Sequence, residues 1–190
     1  MRTALAAAST LAAVALSCLP GLAEARPFTA GVGVGRSQAK ADAEGDASDT
    51  LQLFGRFSFT KRLSAQLEIQ KLQLPYGDVT VRSGTLLLVV DLGQRGHLVP
   101  ILMAGFGGAS ATDDYGYETS ASHTEGGAGL EYRADGGLTI GVDLRIGGRS
   151  LDDDDVKIQP ATTDVIAIYP YNSLQAGEYR SARLYAAVRF

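Results

Sequence analysis

Cysteine occurs once in the 190 residues, at Cys18, inside a segment that reads as a leader, so the mature chain carries no thiol. Its absence excludes disulfide staples and thiolate chemistry and is compatible with an oxidising envelope compartment. A basic stripe is missing as well. The 17 Lys and Arg against 21 Asp and Glu give a formal net charge of -4, and the leader removes Arg2 and Glu24 together, so the balance does not change. That excludes the electrostatic footprint of a nucleic-acid binder. Beyond the leader no apolar run approaches the roughly 20 residues that a spanning helix needs. A mature chain of this kind can enter a bilayer only as a closed barrel, in which every strand finds its backbone partners away from water.

The segment Met1 to Ala25 opens with Arg2, runs through apolar, alanine-rich sequence from Ala4 to Leu19, and reaches the small-x-small motif Ala23-Glu24-Ala25. It reads as a secretory signal peptide cleaved near Ala25, leaving residues 26–190 as one barrel domain. Ser9, Thr10, Ser17 and Pro20 interrupt it and argue against a membrane anchor. Cys18 raises the alternative of an acylated lipoprotein, but such leaders resemble one another in a leucine three residues upstream, where this chain has Ala15.

What the chain has in abundance is alternation. In Glu178 to Phe190, the residues Ala182, Leu184, Ala186, Val188 and Phe190 share one parity, while Ser181, Arg183, Tyr185, Ala187 and Arg189 share the other. Period two means a strand with one apolar face. The same pattern sets Phe28, Ala30, Val32 and Val34 against glycines, and Leu51, Leu53, Phe57 and Phe59 against Gln52, Phe54, Arg56 and Ser58. Leu63, Ala65, Leu67 and Ile69 oppose Ser64, Gln66, Glu68 and Gln70, after which Lys71-Leu72 breaks the parity and suggests a bulge. A fourth strand from about Val79 to Leu92 alternates weakly, with Leu87, Val89 and Asp91 on its second face. A fifth runs from Leu98 to about Gly108. A sixth ends in Leu130 and Tyr132 against Glu131 and Arg133. Ala134-Asp135-Gly136-Gly137 then turns directly into Leu138, Ile140, Val142, Leu144 and Ile146, opposed by Thr139, Gly141, Asp143 and Arg145. This hairpin is the clearest signal in the chain.

Eight strands follow, with no competing helical period, and their connections tend to alternate long and short, the one at Pro75 being an exception. The fold class is all-β, an eight-stranded antiparallel up-and-down barrel. A lipocalin-like soluble barrel would turn the apolar set inward around a ligand. The aromatics favour the inverted arrangement: Phe28, Phe57, Phe59, Tyr132 and Phe190 gather at the short-turn end on the apolar face, where an interfacial girdle belongs. On that reading Arg56, Glu68, Asp91, Glu131, Arg133, Asp143, Arg145 and Arg183 point into a narrow lumen, where desolvation forces them to pair. Glycines on the same face leave room for the long arginines.

A leader, eight amphipathic strands and a last strand ending on Phe190 resemble the small outer-membrane β-barrels of Gram-negative bacteria, of the outer membrane protein A and X type. The resemblance covers nearly all the chain after Ala25. It implies location in the outer membrane, contact with outer-membrane lipid and lipopolysaccharide, and recognition of the strand Ala182, Leu184, Ala186, Val188, Phe190 by the barrel assembly machinery. A monomer without cofactor is expected. The function implied is a structural or surface-interaction role through exposed loops around a plugged lumen, with a narrow channel as the alternative. Some small barrels modify lipids, but Ser120, Ser122, His123 and Glu125 do not resemble the histidine-serine arrangement of the deacylases. On a strand, Ser122 and His123 face opposite ways, and a histidine taken as part of a loop reads as solvated. His97 sits in a turn without a nucleophile. The acidic run Asp152 to Asp155 and the pair Asp113-Asp114 lack the spacing of a dedicated calcium loop. Val165 to Tyr171 is an apolar stretch within a loop, suited to capping the lumen or meeting a partner.

Overall fold

The computed structural model describes residues 27–39, 47–73, 80–93, 95–112, 118–151 and 177–190. They form β1 (Phe28–Ala39), β2 (Ser48–Ser58), β3 (Leu63–Gln73), β4 (Thr80–Asp91), β5 (Leu98–Thr112), β6 (Glu118–Arg133), β7 (Leu138–Leu151) and β8 (Gly177–Arg189). Each strand pairs antiparallel with the next, and β8 returns to β1, so the barrel is closed. The seam is tight at the short-turn end. Phe28 N–H donates to the Phe190 carbonyl at 3.1 Å, and Phe190 N–H to the Phe28 carbonyl at 2.9 Å. The leader and the segments around Pro75, Asp113-Asp114, Asp152 to Asp155 and Val165 to Tyr171 lie outside the described residues.

The alternation decides which face meets which medium. Along β7, Leu144 and Ile146 are 69% and 67% exposed while Arg145 between them is 2% exposed. The same holds around the barrel: Val32, Leu53, Ile69, Leu88, Leu102, Val142 and Leu184 lie outside, and Glu68, Glu131 and Asp143 inside. Such a surface suits hydrocarbon, where strand backbones are satisfied only by closure. The lipocalin-like alternative therefore fails on the direction of its apolar side chains. The aromatics at the short-turn end touch one another outside the wall: Phe28 lies 5.0 Å from Phe57 and 6.3 Å from Phe190, and Phe57 lies 5.2 Å from Phe59, centroid to centroid.

Three expectations need correction. No bulge interrupts β3: its register runs unbroken from Ser58↔Ser64 to Asp49↔Gln73 on one side and from Leu63↔Val90 to Gln73↔Thr80 on the other. Lys71 keeps parity with Ile69 and is exposed; a charge on the outward face resembles a break in pattern only if that face is taken to be apolar along its whole length. The β5–β6 hairpin is longer than its apolar pattern, reaching Thr112 and Glu118, because polar and glycine residues pair as well as apolar ones once the strands have left the band. His123 accordingly belongs to a strand. Its side chain is inside and buried, not in a solvated loop.

Turn and wall glycines fit local requirements. Gly137 closes the β6–β7 turn at a φ of 94°, donating to the Ala134 carbonyl at 3.0 Å, a conformation natural to glycine. On the inward face of β1, Gly31, Gly33 and Gly35 leave space that Phe54, Gln52 and Arg183 fill. A Cβ at Gly31 would lie 2.5 Å from the Phe54 ring and 2.7 Å from the Ala186 carbonyl, and the backbone oxygen cannot move aside. A Cβ at outward Gly55 meets nothing within 4 Å. Gly31→Val is expected to lower stability by about 1–3 kcal/mol through overpacking, and Gly55→Val to leave it nearly unchanged. Urea unfolding in lipid vesicles measures both.

Candidate functional site

Eight strands enclose an interior that side chains alone fill, and here two chemistries share it. Inward residues of β4 and β5, Leu87, Val89, Val99, Ile101 and Met103, form an apolar wall. The opposite wall, from β2, β3, β6, β7 and β8, carries the charges, joined by Asp91 at the short-turn end of β4.

Arg145 sits at the centre, its side chain without solvent exposure. Its Nη2 donates to Glu68 Oε1 at 2.7 Å and to Asp143 Oδ2 at 3.0 Å. Its Nη1 donates to Glu68 Oε2 at 2.9 Å and Glu125 Oε1 at 2.7 Å, and Nε reaches Asp143 Oδ1 at 2.9 Å. Arg183 Nη1 adds bonds to Glu68 Oε2 at 2.9 Å and Gln52 Oε1 at 3.0 Å, and the Tyr179 hydroxyl donates to Glu125 Oε2 at 2.9 Å. Nearer the short-turn end, Arg56 Nη1 donates to Glu131 Oε1 at 2.6 Å, which also accepts from the Tyr185 hydroxyl at 2.7 Å. Arg133 bridges Glu131 Oε2, at 2.7 Å from Nε, and Asp91 Oδ2, at 2.5 Å from Nη1. Gln66 joins the two groups, accepting from Arg56 Nε at 2.6 Å and donating to Glu68 at 2.5 Å. The chain of contacts thus runs without a break from Asp91 to Glu125.

All eight residues named for the lumen, Arg56, Glu68, Asp91, Glu131, Arg133, Asp143, Arg145 and Arg183, fall within this network. Gln66 lies inward with Glu68, as its parity requires. Pattern reading misses three of the network's members in that role: Glu125, which reads as part of a hydroxyl and histidine group, and Tyr179 and Tyr185. Strand parity places them inside all the same. The outward parity of β8, Ala182, Leu184, Ala186, Val188 and Phe190, is exposed, as its apolar pattern requires.

The serine, histidine and acid grouping does not assemble. Ser122 is exposed on the outer face, whereas His123 Nε2 lies 2.9 Å from Thr85 Oγ1 inside the lumen. His97 Nδ1 donates to the Arg133 carbonyl at 3.0 Å at the barrel rim. Among the described residues, no group of three His, Cys, Asp or Glu side chains could hold a metal ion.

With the barrel and its lumen described, the class is an eight-stranded outer-membrane barrel. Residues 3–167 match the family described as the outer membrane protein beta-barrel domain, and the chain belongs to that family, which places it in the bacterial outer membrane. In fold it is similar to Neisserial surface protein A, with a TM-score of 0.61 at 10% identity over 86% of this chain and 96% of that one. It is also similar to the N-terminal β-barrel domain of OprF from Pseudomonas aeruginosa, with a TM-score of 0.55 at 16% identity over 85% and 97% of the two chains. No curated protein sequence matches it.

Removing one partner of a buried pair leaves the others charged and unsolvated, which costs about 3–5 kcal/mol. Arg145→Ala strips a guanidinium from Glu68, Glu125 and Asp143 at once and is expected to fall at the upper end of that range. The exposed pair of Arg36 and Asp49, 3.0 Å apart, provides the contrast: Arg36→Ala should cost about 1 kcal/mol or less. Denaturant midpoints of the refolded variants, compared with the wild type, measure the difference.

Proposed function

We propose that this barrel is a non-catalytic outer-membrane protein whose lumen is closed to ion flow and whose exposed loops make its contacts outside the cell. The observation that carries the first half is Arg145, fully enclosed and held by three carboxylates from β3, β6 and β7. Moving an ion past it requires opening charge-assisted bonds in a space walled on one side by hydrocarbon, where such bonds are strong. The separation of Ser122 and His123 across the wall supports the absence of turnover. For the second half the support lies in the sequence. The acidic run Asp152 to Asp155 and the apolar Val165 to Tyr171 fall in the longest connection, between β7 and β8, at the end opposite the short turns, which faces outward in barrels of this type. Lipopolysaccharide and the barrel assembly machinery are the expected partners, the latter through β8 and Phe190.

The alternative is a narrow channel, and conductance decides between the two. Purified protein in a planar bilayer is expected to show no steady unitary openings, and resolvable openings abolished by adding bulk near Arg145 would establish the channel instead. Assembly is tested separately. Phe190→Ala removes the stacking on Phe28 but no strand pairing, so it should lower the folded amount in cells while purified protein refolds into lipid vesicles nearly as well as the wild type.

A further inference from the structure

The outward face of β3 and β4 carries an arrangement that lumen and loops do not explain. Lys71 and Arg82 are cross-strand partners, directly opposite in register, and both are exposed. Like charges so placed repel, and neither has an acidic partner among the described residues. Across the neighbouring strand pair, by contrast, Arg36 is matched to Asp49.

Their height is informative. Lys71 lies eight steps along β3 from Leu63, about 26 Å of strand, or about 20 Å along the barrel axis at a tilt of about 40°. Arg82 is equally far from Val90, the partner of Leu63. An apolar band of a bacterial barrel is about 25 Å tall, so the two cations stand in its outer fifth, where their long side chains reach the headgroups by snorkelling. Just below them, Gly84 and Gly108 are partners on β4 and β5. A Cβ on Gly84 would approach only the Glu68 carbonyl at 4.0 Å, and one on Gly108 only the Ala121 carbonyl at 3.8 Å. Both glycines therefore leave a depression on the lipid side, bounded by Ile69, Leu86 and Phe106, which are exposed.

We propose that Lys71 and Arg82 hold the phosphate of a phosphorylated lipid in the outer leaflet, with one of its acyl chains lying in the depression at Gly84 and Gly108. The anion relieves the repulsion between the cations, Arg82 offering a planar fork and Lys71 a point charge. The hydrocarbon covers strand surface that no side chain covers. This inference rests on the outward orientation of the long connections described above.

The test uses the whole mature barrel in phosphatidylcholine nanodiscs, with lipid A or its dephosphorylated form of identical acylation added, and native mass spectrometry to count retained molecules. Wild type is expected to retain lipid A and release the dephosphorylated form. K71Q/R82Q should weaken retention about 30-fold, from roughly a fivefold headgroup attraction at each cation, whereas K61Q/R62Q at the β2–β3 turn should not. G84L should weaken retention without altering the charge. Equal retention of the two lipids by wild type would overturn the proposal without recourse to any variant, as would displacement of lipid A by an equal concentration of inorganic phosphate. Protease access to a tag placed between β7 and β8 in intact cells reads orientation separately. A tag facing the periplasm sinks the underlying reading, and equal retention in a correctly oriented barrel sinks this inference alone.

Discussion

Closure of β8 on β1 is the constraint from which the rest follows. A strand edge in hydrocarbon leaves N–H and C=O groups without partners, at several kcal/mol each, so the barrel exists only when the ring is complete. Eleven residue pairs from Thr29↔Arg189 to Ala39↔Tyr179 make that seam. Once closed with eight strands, the cylinder is narrow, and its diameter dictates that the inward side chains touch. The charges therefore cannot be hydrated individually and must satisfy one another.

The lumen answers this with an unequal division. One wall is apolar and excludes water. The other gathers four arginines and five carboxylates into linked bonds in which Glu68, Arg145 and Glu131 each serve several partners. An ion pair among hydrocarbon neighbours gains more Coulombic energy than one in water and loses more when broken. The apolar wall of β4 and β5 therefore strengthens the bonds opposite it while also making each of them harder to do without.

Much of this was legible in the residue pattern, because period two is a local property. Leu138 to Ile146 announces both its strand and its two faces without reference to any other part of the chain. The parity of Arg145, Asp143 and Glu131 places them inside for the same reason. What could not be read was who meets whom. Glu68 and Arg145 are 77 positions apart and belong to β3 and β7, which are not neighbours; only register, diameter and rotamers together bring them into contact. The β4–β5 wall was obscure for a different reason. A strand apolar on both faces alternates only weakly, so the second face of β4, with Leu87, Val89 and Asp91, could be picked out but not recognised as an apolar lining of the lumen. Lys71 misled because a cation in a lipid-facing row breaks the apolar pattern without breaking the strand pairing, which continues through it. His123 misled because β6 continues well past the hydrocarbon, where composition ceases to report on pairing.

The bare inner surface of β1 bears on how the seam finds its alignment. Strands rich in glycine ordinarily slide past one another easily, having few features to resist a slip. Here the neighbours supply them: Phe54, Gln52 and Arg183 occupy the hollows over Gly31, Gly33 and Gly35. A shift of one residue would rotate Ala30, Val32 and Val34 into volume already taken. The three glycines thus act as wards in a lock, and the strand with the least to offer by way of contacts is the one whose position is most sharply dictated by others.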